Sequence, residues 1–223
     1  MTTRTPIDSS PFHDLLIVDI GGTVASGYAG KLYADYGARV VNLEPPEGFS
    51  TRHIAPLLDN GTSAIHAYLH AHKQSVCCTD SVLTHPVTLA ADLVILDVST
   101  LPTSLAVDDF DTNVCAISWY GLTGPYAGFR GSDASIHALT GLMHGIGETD
   151  GPPIIPTGYQ AQVIGGLSAF NGSLGFLLGH LLAAQETSDA FCLDASIWEA
   201  NMCLTDIGAA ISFNDQPMPK RLG

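Results

Sequence analysis

His66, His70 and His72 stand close together, and the first two are one helical turn apart, a spacing at which imidazoles can bind zinc. No carboxylate or thiol follows at ligand spacing, and His72 would leave the helix face shared by the other two. They read as packing or solvated histidines, and no metal site is expected. The five cysteines, Cys77, Cys78, Cys115, Cys192 and Cys203, form no C-x-x-C pair. Four of them lie in or beside apolar runs, which predicts buried thiols in a reducing compartment. Asp19-Ile20-Gly21-Gly22-Thr23 closes an apolar run, and a glycine turn there can cradle phosphate through backbone N–H groups. A dinucleotide site would need G-x-G-x-x-G and an acid closing the second strand. Glu44 could be that acid, but Gly21, Gly22 and Gly27 have the wrong spacing. The residues after Thr23 have helical spacing, so a phosphate turn held in a β-hairpin is excluded as well.

The elements that must position these residues alternate. Leu15–Ile20 is a short apolar run stopped by Gly21-Gly22, as expected of a strand buried on both faces. Helical spacing of Tyr28, Leu32, Tyr33 and Tyr36 predicts a helix over 26–36, capped at Gly37. Val40–Glu44 follows as a second strand, ended by Pro45-Pro46. Strand, helix and strand within so short a stretch make a βαβ unit with a parallel sheet. Further strands are expected over 74–78, 91–98, 114–119 and 190–194, with helices over 64–72, 132–144, 160–185 and 197–211. The fold class is therefore α/β, an open and mostly parallel Rossmann-like sheet flanked by helices. Residues 1–13 read as a polar tail, 14–213 as the α/β domain and 214–223 as the start of a linker.

Of 223 residues, 46% are hydrophobic and 13% charged, so a well-buried core is expected and disorder is not. The 22 acidic and 8 basic side chains leave a net charge of -14, which repels phosphate backbones and argues against nucleic acid as a partner. The N-terminus lacks the apolar core of a signal peptide, so a cytoplasmic protein is expected. The run 163–184 has the apolarity of a membrane span and a Gly175-x-x-x-Gly179 spacing. Asn171 and His180 interrupt it, and no Lys or Arg flanks it, so it reads as a buried helix of a soluble core.

Five segments in register carry a resemblance: Leu32–Pro46 to L-A-D-L-G-A-x-V-I-K-V-E-P-P, Lys73–Val76 to K-R/Q-S-V, and Ile117–Tyr126 to I-S-G-F-G-x-T-G-P-Y. Asp133 with Ala138–Leu142 follows at the matching distance, and Leu193–Ala200 is similar to V-D-V-S-L-x-E-A. Together they resemble family III CoA transferases, the group of formyl-CoA transferases, carnitine-CoA transferases and α-methylacyl-CoA racemases. The resemblance covers the N-terminal part of that fold, and Pro217–Gly223 is similar to the P-P-R-L-G that enters the linker to a smaller second domain.

In that family an aspartate attacks the acyl-CoA thioester within a pattern like Y-x-A-D-x-x-x-G-L. The corresponding run here is Tyr159–Leu167, and the aspartate position is Gln162. A carboxamide nitrogen is a negligible nucleophile, though it can hydrogen-bond a thioester carbonyl. Asn42 stands where the family has lysine, 97–100 replaces its N-F-R-P element, and Ser132 replaces the racemase histidine. The resemblance implies CoA or acyl-CoA as substrate or ligand and no covalent cofactor. It marks Lys73, Arg39, Arg52, Val24, Ala25, Ser26, Tyr126 and Asp133 as ligand-holding positions. It further implies a homodimer or a heteromer with a second family III chain. The expected function is a CoA-transferase-like protein that is non-catalytic alone or one subunit of a transferase. Two alternatives are an active transferase using another carboxylate, Asp133 or Asp150, and a CoA-binding or degenerate fragment without enzymatic activity.

Overall fold

Apolar runs flanked by Gly, Pro and Asp become strands in the computed structural model of the chain, which describes residues 10–183 and 190–214. The order is β1 Leu16–Asp19, α1 Val24–Asp35, β2 Arg39–Glu44, α2 Ala64–Leu69, β3 Gln74–Cys77, α3 Pro86–Leu89, β4 Leu93–Asp97 and β5 Val114–Ser118. After these come α4 Asp133–Leu139, α5 Gln160–Ala183, β6 Cys192–Ser196, α6 Ile197–Met202 and α7 Asp206–Phe213. Six strands form one sheet in the order β3-β2-β1-β4-β5-β6, and every pairing is parallel. The chain winds outward from β1 to β3, then returns to build the other half from β4. Strand order therefore reverses between β1 and β4, and α/β sheets bind ligands outside the carboxyl ends of the strands at such a point.

Residues of the central strands alternate between two cores. Ile17, Leu93, Ile95, Cys115 and Ile117 face a layer that holds Ala25, Tyr33, Ala161, Ala169 and Phe170. Val18, Val94, Leu96, Val114 and Ala116 face a second layer with Leu43 and Phe110. Helix α5 crosses back to parallel β6, so its first turn lies on the carboxyl side of the sheet. Two glycines let it pack closely: a Cβ on Gly166 would come 2.5 Å from the Ala25 carbonyl oxygen of α1, and one on Gly165 would come 2.7 Å from Ile197.

Several boundaries differ from the sequence expectation. Helix α1 starts at Val24 because Thr23 caps it: the Thr23 side chain accepts from Ser26 N–H, and the Ser26 side chain bonds back to Thr23 N–H. The helix expected over 197–211 is interrupted by a 3-10 turn at Cys203–Thr205, and that expected over 132–144 ends at Leu139. The short α3, started by Pro86, was not anticipated. Only Cys78 and Cys115 are buried, whereas Cys77, Cys192 and Cys203 are exposed, which corrects the reading of four buried thiols. Cys77 and Cys192 lie on the two edge strands, where an apolar neighbourhood in sequence does not bring cover in space. Helix α5 has the length and composition of a membrane span, and it is covered on one side only; Leu167, Phe176 and Leu178 are exposed. From the expected N-terminal tail, Phe12 packs against Tyr33, Tyr36 and Phe170. The expected linker lies, apart from Asn214, outside the described residues.

Candidate functional site

Cavities open at the carboxyl ends of the strands. One of about 670 Å³ sits at the β1–β4 reversal beside Gly21, Gly22 and Thr100. Ile20, Leu43, Phe49, Val82, Leu101 and Leu105 contribute apolar walls, and Glu47, His53, Cys78 and Asp80 are its ionisable lining groups. A second cavity of about 470 Å³ lies across the β4 loop, between Ser99, Ser118, Trp119 and Arg130. The third, about 250 Å³, is bounded by Glu44, Arg52, Ser75 and Cys77.

The turn after β1 is held by carboxylates. Asp19 Oδ1 accepts from Gly21 N–H at 3.0 Å, and Thr100 Oγ1 donates to the Gly21 carbonyl at 2.7 Å. Asp97, at the end of β4, accepts from the Thr23 hydroxyl at 2.8 Å and from the Ser99 N–H at 2.9 Å. Its burial raises its pKa, opposed by the hydrogen bonds from Ser99 and Thr23. A buried acid therefore sits against the start of α1, where dinucleotide-binding folds place a phosphate.

Lys73 is swallowed by the fold. Its Nζ is fully buried, 3.3 Å from Asp19 Oδ2, 2.8 Å from the Gly27 carbonyl and 3.4 Å from His70 Nδ1. Desolvation lowers its pKa, and the Asp19 charge opposes that. His70 Nδ1 also takes the Asn42 amide at 2.9 Å, and the Thr51 hydroxyl bridges His70 Nε2 to His66 Nδ1. The two histidines one helical turn apart thus belong to a hydrogen-bonded chain running to Lys73. Arg52 is equally committed: it makes two bonds, of 2.7 and 2.6 Å, to the Glu44 carboxylate, which also accepts from Phe49 N–H and Ser75 Oγ. Arg39 opens β2 at the amino edge of the sheet and donates to Gln74 Oε1, on the side away from the cavities. Val24, Ala25 and Ser26 are buried in the first turn of α1. Tyr126 is half-exposed beside Tyr120, Phe129 and Trp198. Asp150 is exposed in a turn.

The polar chain should make the domain acid-sensitive. Desolvation, with help from Lys73 and His66, lowers His70 to about 2. An unfolded histidine titrates near 6.5, so the unfolded chain binds the extra proton below that pH, and stability falls as pH drops through 6.5. Burial alone would raise Glu44, but bonds from Arg52, Ser75 and Phe49 outweigh it and bring it to about 2, which adds to the loss below pH 4.5. Asp97, raised by burial, works in the opposite sense. Urea denaturation should show unfolding free energy dropping by about 1 kcal/mol per pH unit between about pH 6.5 and 5. His70→Gln should flatten most of that slope; an unchanged slope would rule out His70 as its source.

Gln162 and Asp133 are joined directly. Asp133 begins α4, and its Oδ1 accepts from Ala161 N–H at 2.9 Å and Gln162 N–H at 3.3 Å, capping α5. Its Oδ2 accepts from Gln162 Nε2 at 2.9 Å. The carboxamide cannot attack a carbonyl, and the neighbouring carboxylate has both oxygens engaged by three N–H donors. The profile of CoA-transferase family III matches residues 12–79 and 114–223. The chain belongs to CoA-transferase family III. A mouse (Mus musculus) succinyl-CoA:glutarate CoA-transferase is 28% identical over 217 residues, covering 89% of this chain and 48% of the relative. The alpha subunit of a Chloroflexus aurantiacus succinyl-CoA–L-malate CoA-transferase is 25% identical, over 92% and 51%. The crystal structure of a CaiB/BaiF family protein from Brucella suis superimposes with a TM-score of 0.83 at 25% identity, over 97% of this chain and 61% of that one. The chain spans about half the length of these curated relatives.

Arg130 escaped the sequence reading. It is exposed in the loop between Tyr126 and α4, lines the second cavity, and has no ion pair among the described residues. The signal available was scarcity: it is one of 8 basic residues in a strongly acidic chain.

Proposed function

We propose that this chain is the thioester-binding part of a family III CoA transferase for dicarboxylic acyl groups, and that it forms no aspartyl intermediate on its own. The observation that carries the reading is Gln162, a carboxamide at the nucleophile position, tied to Asp133. Asp133 is a poor substitute nucleophile, because attack would release three hydrogen bonds, two of which cap α5. A second family III chain that carries the aspartate supplies the reacting carboxylate; the Chloroflexus relative, named as an alpha subunit, supports the heteromer.

The relatives above act on succinyl, glutarate and malate groups, each of which carries a free carboxylate. Arg130 is the cation placed to meet one, beside Ser99 and Ser118. Calorimetry should therefore show succinyl-CoA binding more tightly than acetyl-CoA, and Arg130→Gln should erase most of that preference. A charge-assisted hydrogen bond contributes about 1.5–3 kcal/mol, equivalent to a loss of about 10- to 100-fold. Trapping with hydroxylamine or borohydride after mixing with succinyl-CoA should leave the purified chain unlabelled. A covalent adduct on the wild-type chain would overturn the non-catalytic reading, and equal affinity for the two thioesters would remove the dicarboxylate preference.

A further inference from the structure

His66 and His70 belong to a polar chain whose proton order follows from the donors around it. An ammonium only donates, so Lys73 Nζ, 3.4 Å from His70 Nδ1, requires that nitrogen to be an acceptor. The Asn42 amide donates to the same nitrogen at 2.9 Å. The proton of a neutral His70 therefore sits on Nε2 and points at Thr51 Oγ1, 3.3 Å away. The Thr51 hydroxyl proton is left to His66 Nδ1, at 2.9 Å. A proton added to His70 Nδ1 would set donor against donor and bring a second positive charge against Lys73. Two routes lead from this ring to the turn after β1. Lys73 makes its other bonds to the Gly27 carbonyl and to Asp19 Oδ2, and Asp19 Oδ1 holds the Gly21 N–H at 3.0 Å. The Phe49 ring centroid lies 5.8 Å from that of His70, and the same ring presses on Gly22, where a Cβ would come 2.6 Å from Phe49 Cδ1. Gly21, Gly22 and Phe49 all line the cavity of about 670 Å³.

We propose that neutral His70, with its proton on Nε2, is a positioning residue for the Gly21–Gly22 turn, and that the chain holds a CoA thioester there only while His70 stays neutral. The inference rests on the reading of the chain as a thioester binder. Charges facing the two rings act in both directions. Arg52, from the 3-10 turn Ser50–His53, and Lys73 oppose protonation, whereas Glu44 of β2 favours it. Asp19 reaches His70 through Lys73, and α1 brings Lys31 and Asp35, which pair with each other. Burial acts with the cations, so the packed form keeps His70 neutral. A form with this network opened to water regains ordinary histidines, which take up protons below about pH 6.5. Acid therefore favours the opened form. Affinity is full above that pH and declines below it, by up to about tenfold per pH unit for each linked proton.

Two substitutions at position 70 separate positioning from packing. In His70→Asn an amide oxygen takes the place of Nδ1 as acceptor and does not titrate, whereas His70→Leu fills the space and offers no acceptor. Calorimetry of the full chain with succinyl-CoA at about pH 7.5 should give His70→Asn an affinity within about threefold of wild type. His70→Leu should lose about tenfold or more, the worth of one charge-assisted hydrogen bond. Wild-type affinity should fall between about pH 7 and 5.5 and that of His70→Asn should change far less, with circular dichroism showing both folded throughout. Proton–nitrogen spectra of the histidine rings should show His70 as the Nε2–H tautomer. Should His70→Leu unfold the chain, Thr51→Val, which removes the acceptor of the Nε2 proton, replaces it with an expected loss of about threefold or more. His70→Leu binding as tightly as His70→Asn, or wild-type affinity that does not change over that pH range, overturns the inference and leaves the thioester-binding reading standing. An Nδ1–H tautomer overturns the proton order and the inference with it. No binding by the wild-type chain at any pH overturns both the inference and the reading it rests on.

Discussion

Gln162→Asp is expected to make the chain become covalently labelled by an acyl-CoA. The new carboxylate oxygen would attack the thioester carbonyl and expel CoA as its thiolate, leaving a mixed anhydride. The thiolate would then attack the aspartyl carbonyl, releasing the free acid and leaving CoA in thioester linkage to the protein. Borohydride or hydroxylamine stops the reaction at a detectable product, and peptide mapping should place it at position 162. Removing a nucleophile has cost on the order of 10⁶ in turnover in a well-measured enzyme, so even partial restoration is readable above a null background. The environment adds a second signature. Asp133 lies 2.9 Å from the Gln162 amide nitrogen, so an aspartate there would meet a like charge, and the pair would resist full ionisation. Labelling should therefore rise with pH, with a midpoint above the ordinary aspartate value of about 3.9. Adding Asp133→Asn should move that midpoint down. If Gln162→Asp stays unlabelled while binding acyl-CoA normally, the side chain at 162 does not face the thioester, and the assignment of this position fails.

How much of this could be read from the sequence depended on how far each residue's partners lie along the chain. The strands were legible because Ile17-Val18, Val94–Leu96 and Cys115–Ile117 are apolar on both faces and bounded by breakers. The start of α5 around Gln160–Gln162 was legible because the pattern around it is local. Lys73 was not: its type suggests a phosphate grip, while its role is set by Asp19, 54 residues away. Arg39 is a different case. Its position just before an apolar strand already places it at the amino edge, so strand polarity alone argued against the cavity side. Arg130 lies in an irregular loop with no periodicity to mark it, and only the sheet beneath shows which cavity it lines. Helix α5 shows the limit of composition: its apolar residues run all round, but only one side meets the sheet layer.

The Lys73–Asp19 pair has the largest expected effect on the fold itself. Both side chains are fully buried, and Lys73 joins the edge strand β3 to the end of β1 and to the Gly27 carbonyl in α1. A Cβ at Gly30 would come 2.8 Å from the ammonium, so the helix has been kept bare to let it pass. Removing one member leaves the other buried without its counter-ion, which costs about 3–5 kcal/mol in comparable buried pairs. Against a total of about 5–15 kcal/mol for a domain, Lys73→Ala should leave little stability in urea denaturation. The loss comes from the stranded Asp19 charge rather than from missing attraction, since desolvation offsets most of what the pair gains. Lys73→Met combined with Asp19→Asn removes both charges and keeps much of the volume, so it should recover most of the loss of Lys73→Ala. A double variant as unstable as the single one would mean that Lys73 acts through its bonds to Gly27 and His70 instead. A loss below about 1 kcal/mol for Lys73→Ala, the range of an exposed pair, would mean that water reaches the site and that Lys73 is available to a ligand after all.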